Sequence, residues 1–66
     1  MEFQKQLKAI REEKGLSLED LAEKTGLEAI KLKRYESGYA KPSLVEVKKI
    51  AAALNVKDRA LLGYPR

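Results

Sequence analysis

Apolar residues recur along the chain at helical spacing, and the breaks between the runs predict five helices. Phe3, Leu7 and Ile10 stand at i, i+4 and i+7, which makes residues 2–14 an amphipathic first helix with Gly15 as its cap. Leu18, Leu21 and Ala22 share one face of a second helix. Ser17, three residues before Asp20, starts it as a capping box, and Thr25-Gly26 ends it. A third helix follows over 28–36, where centring the buried face on Leu32 places Tyr35 and Glu36 beside it. Its opposite face is then fixed: Ile30 and Arg34 stand outermost, one turn apart, with Lys31 and Lys33 on either flank. Ser43 and Glu46 form a second capping box, opening a fourth helix whose inward stripe is Val47, Ile50, Ala51 and Leu54. A short last helix runs from Asp58 through Leu62, with Gly63-Tyr64-Pro65 as its stop, and one of Leu61 and Leu62 closes the core.

This pattern describes an all-α, five-helix compact domain spanning 1–66, with two short helices joined by a tight turn at about 17–37. Sixty-six residues hold one small core, which buries only about 60% of the surface exposed by the unfolded chain. Neither cysteine nor histidine is present, so disulfides and the usual zinc sites are excluded and helix packing must supply the stability. The start of the chain, Met1-Glu2-Phe3-Gln4-Lys5, does not read as a signal peptide, and no apolar run approaches the roughly 20 residues of a membrane span. A cytoplasmic location with no membrane partner is expected.

Charge adds a direction to the pattern. Fourteen basic and ten acidic residues give a net +4, and the whole excess lies in residues 31–49. That segment carries Lys31, Lys33, Arg34, Lys41, Lys48 and Lys49 against Glu36 and Glu46, while the remainder is balanced. A cationic third helix, loop and fourth helix form the footprint of a phosphate-facing surface. Catalysis finds no support. Only three serines are present, two of them helix caps, and none has a neighbouring base. The four glycines sit singly at helix ends and form no nucleotide loop, so no cofactor or small-molecule substrate is implied.

Ser17-Leu18-Glu19-Asp20-Leu21-Ala22, Thr25-Gly26-Leu27, Tyr35-Glu36-Ser37-Gly38 and Pro42-Ser43-Leu44, followed by Ile50-Ala51 and Leu54, resemble the Cro/C1-type (XRE) helix-turn-helix domains of phage and bacterial repressors. The likeness runs from about Leu7 to Leu62. It implies a lambda-repressor-like fold and sequence-specific binding of double-stranded DNA by a transcriptional regulator, a repressor, with helix 28–36 in the major groove. Arg34, Ile30 and Ala29 occupy the positions at which related repressors read base edges. Arg34 suits guanine O6 and N7, and the two apolar side chains suit a thymine methyl. Ser17, Lys31, Lys33, Tyr39, Lys41 and Ser43 are the expected phosphate contacts. The resemblance also pairs Arg11 with Glu36, and it assigns the C-terminal segment to a weak homodimer whose two copies would occupy half-sites about 34 Å apart.

Two positions depart from the family pattern. Leu18 replaces a glutamine whose amide often touches the DNA backbone, and Glu28 replaces the usual Ser or Thr cap of the reading helix. With Ala29 and Ile30, these residues leave a second reading open: a helix-turn-helix used as a protein-interaction module, similar to the cytoplasmic domain of the cell-shape protein RodZ. The localised +4 charge weighs against that alternative.

Overall fold

A computed structural model describes residues 2–62, and they form five α-helices: α1 (Glu2–Glu13), α2 (Leu18–Thr25), α3 (Ala29–Ser37), α4 (Leu44–Leu54) and α5 (Asp58–Leu62). The segment 63–66, which holds the expected Gly63-Tyr64-Pro65 stop, lies outside the described residues.

Each helix begins and ends for a local reason. At the start of α2, the Ser17 hydroxyl accepts from the Asp20 N–H at 3.0 Å, while the Asp20 carboxylate accepts from the Ser17 N–H at the same distance. The start of α4 repeats this box with Ser43 and Glu46, both bonds being 3.2 Å long. Between α2 and α3 the chain reverses tightly at Gly26, whose φ of 77° is a conformation that a Cβ would penalise. Thr25 fastens the same turn: its hydroxyl donates to the Leu21 carbonyl at 2.8 Å and accepts from the Leu27 N–H at 3.1 Å. Gly38 closes α3 under two constraints. Its φ is 85°, and a Cβ there would stand 2.8 Å from Oε1 of Gln4. Any larger residue would have to displace that amide as well as strain the backbone.

The apolar stripes converge on one core. Phe3, Leu7 and Ile10 of α1 meet Leu21 of α2, Leu32 and Tyr35 of α3, Val47, Ile50, Ala51 and Leu54 of α4, and Ala60 and Leu61 of α5. Helix α1 packs on α3 and α5, α2 packs on α3 and α4, and α4 also meets α5. Phe3 touches the Tyr35 ring edge-on, with centroids 6.2 Å apart and planes at 76°. Of the adjacent leucines in α5, Leu61 is buried and Leu62 only half-buried. No charged side chain is fully buried among the described residues, and no buried side-chain polar atom lacks a hydrogen-bond partner. The turn, the two caps and the core together hold α3 by one face and leave the other to solvent.

Candidate nucleic-acid interface

The inward face of α3 is pinned first. Leu32 is fully buried and Tyr35 nearly so, which leaves the residues a half-turn away pointing outward. Ile30 is 58% exposed, and Arg34 and Lys33 are exposed as well. Ala29, in the first turn, is half-buried. Glu28 is the N-cap residue but makes no side-chain cap bond, so its exposed carboxylate stands free at the start of the helix. Asp, Asn, Ser and Thr cap well because their short side chains reach the N2 or N3 N–H, and glutamate is one methylene longer.

Behind this face, Arg11 binds Glu36 in a two-point pair. Nε of Arg11 donates to Oε2 at 2.6 Å and Nη2 donates to Oε1 at 3.1 Å. Nη1 also donates to the Leu16 carbonyl at 2.7 Å, so one guanidinium joins α1, the α1–α2 loop and the last turn of α3. The two side chains are only 12% and 9% exposed. Hydrogen bonding to Glu36 raises the Arg11 pKa against the opposing effect of burial, which keeps the guanidinium charged.

In front, a shallow depression between α3 and the start of α4 is lined by Ile30, Lys31, Arg34, Lys41 and Ser43 among others. Five residues singled out in the sequence thus come together on one surface. Tyr39, at 87% exposure, and Lys41 project from the loop that joins α3 to α4. Ser17, by contrast, serves the separate start of α2, where Glu19 and Asp20 occupy the first turn. Leu18 packs against the core, so it presents no polar group there.

Lys31, expected on the solvent-facing side of α3 as a phosphate contact, has a partner there: its ammonium is paired with Oε2 of Glu46, and its side chain stays 44% exposed. The other oxygen, Oε1, accepts from the Tyr35 hydroxyl at 2.5 Å and from the Ser43 N–H at 3.2 Å. Hydrogen bonds from Lys31, then from Tyr35, hold the Glu46 carboxyl at about 2. Burial and the same carboxylate push the Tyr35 phenol up. The pattern had assigned Glu46 only its capping role. A tyrosine on the core edge of α3 facing the first turn of α4 was the available signal, because a buried phenol needs a partner for its hydroxyl.

Two further surface features were not expected. Leu44 and Val45, in the first turn of α4, are 62% and 63% exposed. Among the described residues, no cluster of acidic side chains could hold a metal ion, and no helix is long and apolar enough to cross a membrane.

A helix fixed on its inner face behind a shorter partner, with cations and one isoleucine turned outward, is a helix-turn-helix of the Cro/C1 class. The chain belongs to the helix-turn-helix family HTH_3, whose sequence profile matches residues 7–61. This is a family of non-enzymatic transcription-regulator domains. Among solved structures, the chain is similar to the restriction-modification controller protein C.AhdI from Aeromonas hydrophila, with 38% identity over 91% of both chains and a TM-score of 0.88. It is similar as well to SinR, the master regulator for biofilm formation, whose structure was solved in complex with DNA. That match has 36% identity, covers 91% of this chain and 97% of that one, and has a TM-score of 0.86. An HTH_3 family transcriptional regulator from Vibrio cholerae matches at 32% identity with a TM-score of 0.89; the alignment covers 94% of this chain and only 35% of that longer one. No curated protein matches at a significant level.

Proposed function

We propose that this domain is a sequence-specific double-stranded DNA-binding regulator of the repressor type, with α3 lying in the major groove. The observation that carries the reading is the outward pairing of Ile30 and Arg34, one turn apart, in a depression shared with Lys41 and Ser43. Arg34 reads guanine through its guanidinium, while Ile30 and Ala29 meet a thymine methyl. Lys33, Tyr39 and Lys41 contact phosphates, aided by the helix starts at Ser17 and Ser43, whose N-terminal partial positive charges favour anions. The likeness to SinR, solved with DNA bound, supports the groove assignment.

Two copies of the chain, joined through the C-terminal segment around α5, would read a palindrome. An isologous interface imposes its two-fold symmetry on the site it binds. Selection from a randomised duplex library with the parent chain and with Arg34→Ala tests the reading. An enriched palindrome that the variant fails to enrich is the expected result. Weak, preference-free binding by both chains would overturn it and direct attention to a protein partner of the Ile30 face.

A further inference from the structure

The carboxylate of Glu46 has more to do than a helix cap requires. The first capping box, at Ser17 and Asp20, shows what the cap alone needs: one hydroxyl, one carboxylate and two hydrogen bonds, all exposed. At Ser43 the same device carries two additional bonds, and both come from the reading helix. One is from the Tyr35 hydroxyl and the other from the Lys31 ammonium. The additional bonds are made by a residue one methylene longer than Asp20, which lets the carboxylate cap α4 and still reach α3.

We propose that Glu46 is a positioning residue of the DNA-binding face: it fixes the start of α4 against α3 and keeps Lys31 off the phosphates, limiting how strongly the domain holds DNA of any sequence. This inference rests on the DNA-reading function proposed above. Lys31 lines the same depression as Ile30, Arg34 and Lys41, so a free ammonium there would lie within the contact surface. A phosphate contact adds affinity without sequence information, whereas base-edge contacts supply discrimination. Neutralising one cation inside the contact surface therefore lowers attraction to every site while leaving Arg34, exposed beside it, to read. The Glu46 carboxyl, held at about 2, is ionised throughout the neutral range, so the charge that pairs with Lys31 is present there.

The test uses Glu46→Gln, which keeps an acceptor for the Tyr35 hydroxyl and for the Ser43 N–H but removes the charge that holds Lys31. Binding to a duplex of fixed non-cognate sequence is titrated between 50 and 200 mM salt. Each phosphate newly neutralised steepens the salt slope by about 0.9, a further loss of roughly 3.5-fold across that range. Glu46→Gln is expected to bind more tightly at low salt with that steeper slope, and adding Lys31→Gln is expected to cancel the gain. Lys31→Gln alone should leave the parent slope unchanged. Tyr35→Phe serves as the structural control, because it loosens the α3–α4 contact and should not move the slope.

An unchanged slope in Glu46→Gln, or a parent slope flattened by about 0.9 in Lys31→Gln, would overturn the proposal. Side-chain NMR of the DNA-free protein separates the lock from the DNA reading. A Glu46 carboxyl that titrates near 4.5 in the parent means no lock exists, whatever the DNA result. A carboxyl held low in a chain without salt-dependent duplex binding means that the DNA reading fails, and the assigned role of the lock fails with it.

Discussion

Two ion pairs grip α3 from opposite sides, and they differ in almost every physical respect. Arg11–Glu36 lies behind α3, is nearly closed to solvent and uses a planar two-point geometry with a third bond to a backbone carbonyl. Lys31–Glu46 lies in front, with the lysine side chain 44% exposed and a single ammonium as the donor. Desolvation makes the difference. A largely buried guanidinium stripped of its partner is only poorly rehydrated, whereas an exposed ammonium released from its partner is simply hydrated. The rear pair therefore bears mainly on how firmly α3 is held, and under the proposal above the front pair sets what the held helix offers to DNA.

The largest effect should follow from breaking the rear pair. Glu36→Gln leaves Arg11 partly buried without its counter-charge and is expected to cost about 3–5 kcal/mol. In a domain of this size each kcal/mol moves the melting temperature by about 4–8 °C, so thermal unfolding followed by circular dichroism should show a fall of ten degrees or more. An unchanged melting curve would remove the pair from the account. Arg34→Ala acts on the other side of the helix. It is expected to leave the melting temperature within a few degrees while losing about 1–3 kcal/mol of discrimination at one base pair, read by competition between the selected duplex and its single-base variants.

Smaller effects sharpen the role of the front pair. Tyr35→Phe removes one hydrogen bond to an ionised acceptor that keeps its other partners, and a loss of about 1–2 kcal/mol in denaturant unfolding is expected. Acid should act on the same contact. The Glu46 carboxyl titrates at about 2 in the folded protein, below its ordinary 4.5, so its contribution is fully present above 4.5 and is lost as pH falls towards 2. Asp20 adds in the same direction, because the Ser17 N–H and hydroxyl hold its carboxyl below its usual range. The parent should therefore lose more stability between pH 5 and pH 2.5 than Glu46→Gln does; equal losses would contradict the assignment. Lys33→Gln is the mildest case: the fold stays unchanged and the salt slope on cognate DNA flattens by about 0.9.

Legibility in the sequence followed the range of the interactions. The five helices, both capping boxes and the inward stripes rest on contacts within four residues, and pattern alone places them. Burial of Leu32 and Tyr35 then turns Ile30 and Arg34 outward without further information. The Arg11–Glu36 pair spans 25 positions, and only the family resemblance pointed to it. The bond from Tyr35 to Glu46 spans 11 positions across a proline-containing loop, and the sequence carries no periodic trace of such a contact. For that reason the sequence shows Lys31 as an outward cation but not its pairing with Glu46. Its direction around the helix followed from the 100° step, but its partner depended on how α4 leaves the loop. Leu44 and Val45 were missed for a related reason: capping chemistry fixes where α4 starts and leaves open which of its first residues reach the core.

The most direct test of the central claim, that the outward face of α3 reads bases, is NMR of the Ile30 methyl and Arg34 Nε–H groups during titration with the selected duplex and with a scrambled one. Large shifts are expected at both groups with the selected duplex only, and shifts at Lys33 and Lys41 with either. If the shifts instead gather at Leu44 and Val45, or if both duplexes act alike on Ile30 and Arg34, α3 does not read sequence.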